Sequence, residues 1–280
     1  MSAGKLLSLA KRKPFIPAPV MKKNKGFHAV RLGFNRRAVI ASASVTRRKN
    51  VFHSLAEIDI TEPRQRMKDY FDQTGTKLSM TAYIVACLSK VIRDHPRLNA
   101  FITGNRFVFL DDITISVLIE RDLLGEKVPE PIAIAATQNK SLLDIQAEIR
   151  EAQTIQDEKL GSLTGSRWFS LIPGFLMKTF VRLADKNIYM ARRYGKLSVT
   201  SVGMFSREPV WFIPHGSATV LLTVGSISEK AVLVNEHFES RKHLCITASF
   251  DHDVVDGAPA ARFINQLAET IQNGMLIPLP

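Results

Sequence analysis

Ser249-Phe250-Asp251-His252-Asp253-Val254-Val255-Asp256-Gly257 is the stretch on which the reading of this chain turns. It carries the pattern His-x-x-x-Asp-Gly. A neutral imidazole on a turn can act as a general base, and a carboxylate four residues later can fix the backbone around it or hold a distant arginine. So short a pattern also arises by chance, and its surroundings decide its weight. Upstream, Leu244-Cys245-Ile246-Thr247-Ala248-Ser249-Phe250 is β-prone and half-alternating, which predicts a strand. Downstream, residues 258–267 read as a helix, with Pro259 tolerated in the first turn, where its missing N–H costs nothing. The histidine therefore falls on a strand-to-helix turn closed by a glycine.

Further stretches fit one pattern in order: Asp94-His95-Pro96-Arg97-Leu98-Asn99-Ala100, then Asp112-Ile113-Thr114-Ile115-Ser116-Val117, Lys140-Ser141-Leu142-Leu143-Asp144-Ile145 and Ser198-Val199-Thr200-Ser201-Val202-Gly203-Met204-Phe205. With the histidine motif, they make most of the chain similar to the catalytic domain of the dihydrolipoamide acyltransferase component of 2-oxoacid dehydrogenase complexes. The chain more distantly resembles chloramphenicol acetyltransferase. The single His252 preceded by Asp251 fits this family better than condensation domains, whose motif opens on a His pair.

The resemblance implies an α+β fold, the chloramphenicol acetyltransferase-like two-layer sandwich with a mixed β-sheet packed against helices. It implies an acyltransferase that moves an acyl group from a coenzyme A or carrier-protein thioester, not tightly bound, directly to a thiol, hydroxyl or amine acceptor. His252 is the expected base. Thr200 stands where the family has an oxyanion-stabilising serine, with Ser201 as the alternative if the alignment shifts by one residue. Asp256 is expected to hold the geometry of the motif through an arginine of the N-terminal segment. Ser201, Gly257 and His53 are assigned to substrate binding, although a lone histidine on a strand is more often structural. Family members place the active site between subunits, so a homotrimer or higher assembly is expected. Neither lipoyl nor subunit-binding modules are seen, and no covalent lipoyl group is expected on this chain. Two alternatives remain: the acyltransferase core of a complex whose lipoyl domain sits on another chain, and a non-catalytic scaffold. Asp253 in place of the family's usual arginine, and Thr200 in place of serine, leave room for the latter.

With 280 residues, 45% of them apolar, the chain has enough material for a large core. Cys87 and Cys245 both sit in apolar segments and read as buried thiols of a reducing compartment, and no metal site is predicted. No apolar run is long enough to span a bilayer, which suggests a cytoplasmic protein. The net charge of +12 is concentrated: residues 1–50 hold 13 Lys or Arg and no acid, against 25 basic and 26 acidic residues in the remainder. We divide the chain into a basic extension, residues 1–30, and a catalytic domain, residues 31–280, whose opening Arg31–Ile40 resembles the family's first basic helix. The arm suits anionic lipid, an acidic carrier or coenzyme A phosphates; nucleic acid is the weakest partner, since few aromatics interleave the charges.

Phe52–Ile60 alternates as a strand, and Met80–Arg93 has the periodicity of a core helix that ends before Pro96. Arg106–Leu110, Ile113–Ile119 and Pro131–Ala135 read as strands. The resemblance breaks at residues 163–195. There Leu176, Met177, Phe180, Leu183, Ala184 and Ile188 fall on one arc of a helix and Lys178, Arg182, Lys186, Arg192 and Arg193 on the other. A basic amphipathic helix of this kind packs on its own domain, covers an acyl pocket, or makes peripheral contact with an anionic membrane.

Overall fold

The structure, a computed structural model, describes residues 21–24, 26–29, 32, 34–123, 126–154, 174–203, 206 and 208–279. Most of the basic arm, Arg31, Met204, Phe205 and the first part of the divergent region, residues 163–173, lie outside them. In chain order the elements are β1 (Met21–Asn24), β2 (Phe27–Ala29), α1 (Phe34–Thr46), β3 (Val51–Asp59), α2 (Thr61–Thr74), α3 (Met80–Ile92), β4 (Ala100–Thr103), β5 (Arg106–Phe109), β6 (Ile115–Leu123) and β7 (Glu126–Ile134). They continue with α4 (Leu142–Thr154), α5 (Gly174–Asp185), α6 (Ile188–Tyr194), β8 (Leu197–Ser201), β9 (Val220–Val234), β10 (His237–Asp251) and α7 (Gly257–Gln272).

A six-stranded sheet in the order β3-β10-β9-β8-β6-β7 forms one layer. β8 runs parallel to both its neighbours and the other pairs are antiparallel, so the sheet is mixed, as expected. Strand alternation divides its residues between two faces. Ile58, Leu244, Ile246, Val224, Leu222, Val199 and Val117 join the core with residues of α3, α4 and α7. α3 is the central helix: from Ala82 to Ile92 only Lys90 escapes burial. Its start is fixed by Ser79, whose side chain accepts from the Ala82 N–H. Its side is fixed by Tyr83, whose hydroxyl donates to the Ile271 carbonyl of α7 at 2.6 Å. The fold is therefore the expected two-layer α+β sandwich, a mixed β-sheet packed against helices.

The opposite face of β3, β10 and β9 is covered by the segment that links β8 to β9. There Trp211 Nε1 donates to the Ala56 carbonyl at 3.3 Å and the Val210 N–H donates to Ser226 Oγ at 2.8 Å. Two glycines make this crossing feasible. A Cβ on Gly203 would lie 1.5 Å from the Gly225 carbonyl oxygen, and one on Gly225 would lie 2.4 Å from the Val210 carbonyl oxygen. Gly203 is thus a point of close backbone contact.

The amphipathic stretch is two helices rather than one. α5 stops at Asp185, and Asn187 starts α6 by accepting the Met190 N–H on its side chain at 3.1 Å. Arg192 and Arg193 therefore do not share a helical face with Lys178 and Arg182. α5 packs along α1 and buries Met177, while Leu176 and Leu183 of its apolar arc remain exposed. Among the described residues no helix is long and apolar enough to cross a membrane, and no group of three or more His, Cys, Asp or Glu is placed to hold a metal ion. Cys87 and Cys245 are both free and buried.

Candidate active site

β10 ends at Asp251 and α7 begins at Gly257, which leaves His252 on the intervening turn. The N–H groups of Val254 and Val255 both donate to the Asp251 carbonyl at 3.0 Å, and both side chains are buried. The turn is also tied to the residue before β3: the His252 N–H donates to the Asn50 carbonyl at 2.6 Å, and Asn50 Nδ2 donates to Asp253 Oδ1 at 2.9 Å. The imidazole is exposed, with its edge on Phe52 at 5.0 Å, and Phe52 stacks on Phe250 at 5.2 Å. A rigid backbone thus presents an accessible ring. Asp253 works here as the acceptor of an amide clamp.

Beneath the turn sit four nearly buried charges. Lys49 Nζ is 2.7 Å from Asp251 Oδ2, 2.7 Å from the Ser217 carbonyl and 3.9 Å from Asp185 Oδ2. Lys196 Nζ donates to Asp185 Oδ1 at 2.9 Å and to the Asp185 carbonyl at 2.6 Å. Burial pushes the Lys196 ammonium below its ordinary value, and the Asp185 carboxylate opposes that shift. None of Lys49, Asn50, Asp185 and Lys196 is recognisable as part of this site in the sequence. Lys49 reads as one more charge of the basic arm, and only the β3–β10 register brings it beside the motif.

Asp256 and Gly257, at the other end of the motif, make few contacts within one chain. Asp256 is exposed at the N-cap of α7 and makes no capping hydrogen bond with its side chain. The arginine expected to pair with it is not found among the described residues, and Arg31 lies outside them. Gly257 has no positive φ, and a Cβ there would meet nothing within 4 Å. Nothing inside the described chain requires a glycine at that position.

Thr200 lies on β8, 8% exposed, and Ser201 beside it is half-buried. Ser201 is in register with the core residue Val224 and Thr200 with Thr223, so the two hydroxyls occupy opposite faces. Thr200, Thr223 and Thr247 form a row across three strands. The hydroxyls of Thr223 and Thr247 are buried without a hydrogen-bond partner. His252 is five residues beyond Thr247 at the end of β10, which puts its backbone about 17 Å along and about 10 Å across the sheet from that of Thr200, or about 20 Å away. One chain does not bring the two together. His53 is elsewhere again, on the face opposite Phe52, where its Nδ1 is hydrogen-bonded to Ser249 Oγ at 2.8 Å.

A sequence model of the 2-oxoacid dehydrogenases acyltransferase (catalytic domain) family matches residues 36–165 and 191–279. The chain belongs to this family. Residues 166–190, which include all of α5, fall outside the match. Among curated members, the acetyltransferase component of the Bacillus subtilis pyruvate dehydrogenase complex is 26% identical over 251 residues, covering 86% of this chain and 49% of that protein. The succinyltransferase component of the Staphylococcus saprophyticus 2-oxoglutarate dehydrogenase complex is 26% identical over 226 residues, covering 78% and 46%. The chain spans about half the length of these relatives. Dihydrolipoamide acetyltransferase of Azotobacter vinelandii has the same fold, with a TM-score of 0.70 at 19% identity over 94% of this chain and 99% of that one. That enzyme has been studied at a catalytic serine and at a histidine and an asparagine four residues apart. In this chain Asp256 stands four residues after His252.

Proposed function

We propose that this chain is an acyltransferase catalytic domain that moves an acyl group between a coenzyme A thioester and a thiol acceptor of the dihydrolipoyl class. The observation that carries the reading is the exposed His252 imidazole on a turn clamped by Asn50. One ring nitrogen of His252 takes the proton of the acceptor thiol, and the sulfur attacks the thioester carbonyl carbon. The tetrahedral oxyanion accepts a hydrogen bond from the Thr200 hydroxyl. Collapse expels the coenzyme A thiolate, which recovers the proton from the imidazolium.

The separation of His252 and Thr200 supports a site shared by two copies, His252 from one and Thr200 from its neighbour, in a trimer or larger assembly. Further support comes from the tip of the β9–β10 hairpin, where the cross-strand pair Leu233 and Phe238 is exposed. The names of the relatives favour a core that works with a lipoyl group over an enzyme for hydroxyl or amine acceptors.

His252→Ala tests the chemistry. With acetyl-coenzyme A or succinyl-coenzyme A and dihydrolipoamide, the rate should fall about 100- to 10,000-fold, the usual contribution of a positioned base. The fold should be retained, because the ring is exposed. A variant that keeps the wild-type rate would exclude the mechanism.

On location, exposed Leu176 and Leu183 beside Lys178, Arg182 and Lys186 support peripheral contact with an anionic membrane.

A further inference from the structure

Asp185 is the last residue of α5, the helix that the family pattern does not cover. A carboxylate there opposes the helix dipole, whose C-terminal end is negative, so α5 gains nothing from it locally. Its partners lie elsewhere in the fold. Lys196, just before β8, takes one carboxylate oxygen, and Lys49, just before β3, stands near the other. Lys49 spans the gap between Asp185 and Asp251, the residue before His252. Asp251 uses its second oxygen, Oδ1, to accept the Asp253 N–H at 3.2 Å, which closes the turn around His252. The contacts therefore run Asp185, Lys49, Asp251, His252 turn.

We propose that Asp185 is a positioning residue for the His252 turn, acting through Lys49, and that α5 braces the reactive histidine of this chain. The proposal deepens the reading of His252 as the base and rests on it. The physical reason is charge balance: two ammonium groups and two carboxylates share a nearly buried site. With Asp185 neutralised, Lys49 and Lys196 face the single carboxylate of Asp251. Lys196 then competes for Asp251, and a turn that depends on both of its oxygens shifts. Lys49 also holds the Ser217 carbonyl, so its own position is constrained from the segment entering β9. A carboxylate that only anchored α5 would need Lys196 alone.

The test is Asp185→Asn in the full chain, read in two ways. In the first, the Cε1–H resonance of His252, assigned by its loss in His252→Ala, should shift or split in the variant. In the second, turnover of acetyl-coenzyme A with dihydrolipoamide should show kcat reduced about tenfold, with KM within about twofold, since the substrate contacts are untouched. Asp185→Glu, which keeps the charge and reaches the 3.9 Å gap, should recover most of kcat and the wild-type resonance. If Asp185→Asn does not fold, Lys49→Met leaves the Asp185–Lys196 pair in place and must give the same two changes. A folded variant with an unmoved His252 resonance and unchanged kcat overturns the proposal. A shifted resonance in a protein whose wild type turns over no thioester supports the brace and removes the acyl-transfer reading instead.

Discussion

The main-chain N–H of His252 donates to the carbonyl oxygen of Asn50 at 2.6 Å, across the antiparallel junction where β10 ends and β3 begins. The histidine is thereby referenced to the sheet rather than to the helix that follows it. Its ring lies in solvent against Phe52, and its backbone stands about 20 Å from that of Thr200 in the same chain.

That separation predicts complementation. Neither His252→Ala nor Thr200→Ala should be active alone, and co-refolding equal amounts of the two should restore about a quarter of the wild-type rate, because randomly mixed neighbours rebuild intact sites at that frequency. Thr200→Ser keeps the donor and should stay within about tenfold of wild type, whereas Thr200→Ala should lose about 3 kcal/mol of transition-state stabilisation. Mixed assemblies with no more activity than their parents would show that the two residues do not serve one site across subunits.

Gly203→Ala should destabilise the fold by about 3 kcal/mol or more, because its Cβ would fall 1.5 Å from the backbone oxygen of Gly225 and backbone must move. Urea denaturation gives the value. The same substitution at Gly257, where a Cβ meets open space within the chain, should leave monomer stability within about 0.5 kcal/mol. A loss of assembly in Gly257→Ala would place that glycine at a subunit contact.

Burial first, and His215 second, hold the His53 imidazole below its ordinary value near 6.5. The unfolded chain then binds more protons at this position than the folded one, so the stability contributed by neutral His53 is complete above pH of about 6.5 and is lost as pH falls through the lower folded value. Proton NMR titration should find the His53 midpoint below those of exposed histidines. His53→Gln should flatten the dependence of urea midpoint on pH in that window. A midpoint at or above the ordinary value would contradict the assignment.

For α5, flotation with liposomes separates surface binding from packing. Each Lys or Arg at an anionic surface adds about 1 kcal/mol, so wild type should float with anionic vesicles more than with neutral ones, and less at high salt. Lys178→Glu combined with Arg182→Glu and Lys186→Glu should abolish flotation. Equal behaviour of both proteins on both vesicle types would leave α5 as a packing element only.

The sequence by itself determined the family, the fold and the histidine turn, because those are written in local terms. Alternation along residues 244–250, helical periodicity over 80–93 and the punctuation at Pro96 and Gly257 are short-range signals, and their order along the chain is enough to choose one architecture. It also marked the divergent region, although it joined α5 and α6 into one helix, because a capping asparagine inside an amphipathic run is easily read as a polar-face residue. The tertiary structure decided what depends on register and closure. It placed Thr200 and Ser201 on opposite faces, set Thr200 far from His252, and left Asp256 without its arginine among the described residues. It also drew Lys49 from the basic arm and Asp185 from the insertion into one nearly buried network under the His252 turn. These residues are more than 130 positions apart in the chain, and only the pairing of β3 with β10 and the packing of α5 on α1 brings their charges together. Burial then makes their pairing obligatory, because an ammonium or carboxylate withdrawn from water is stable only beside its counter-charge.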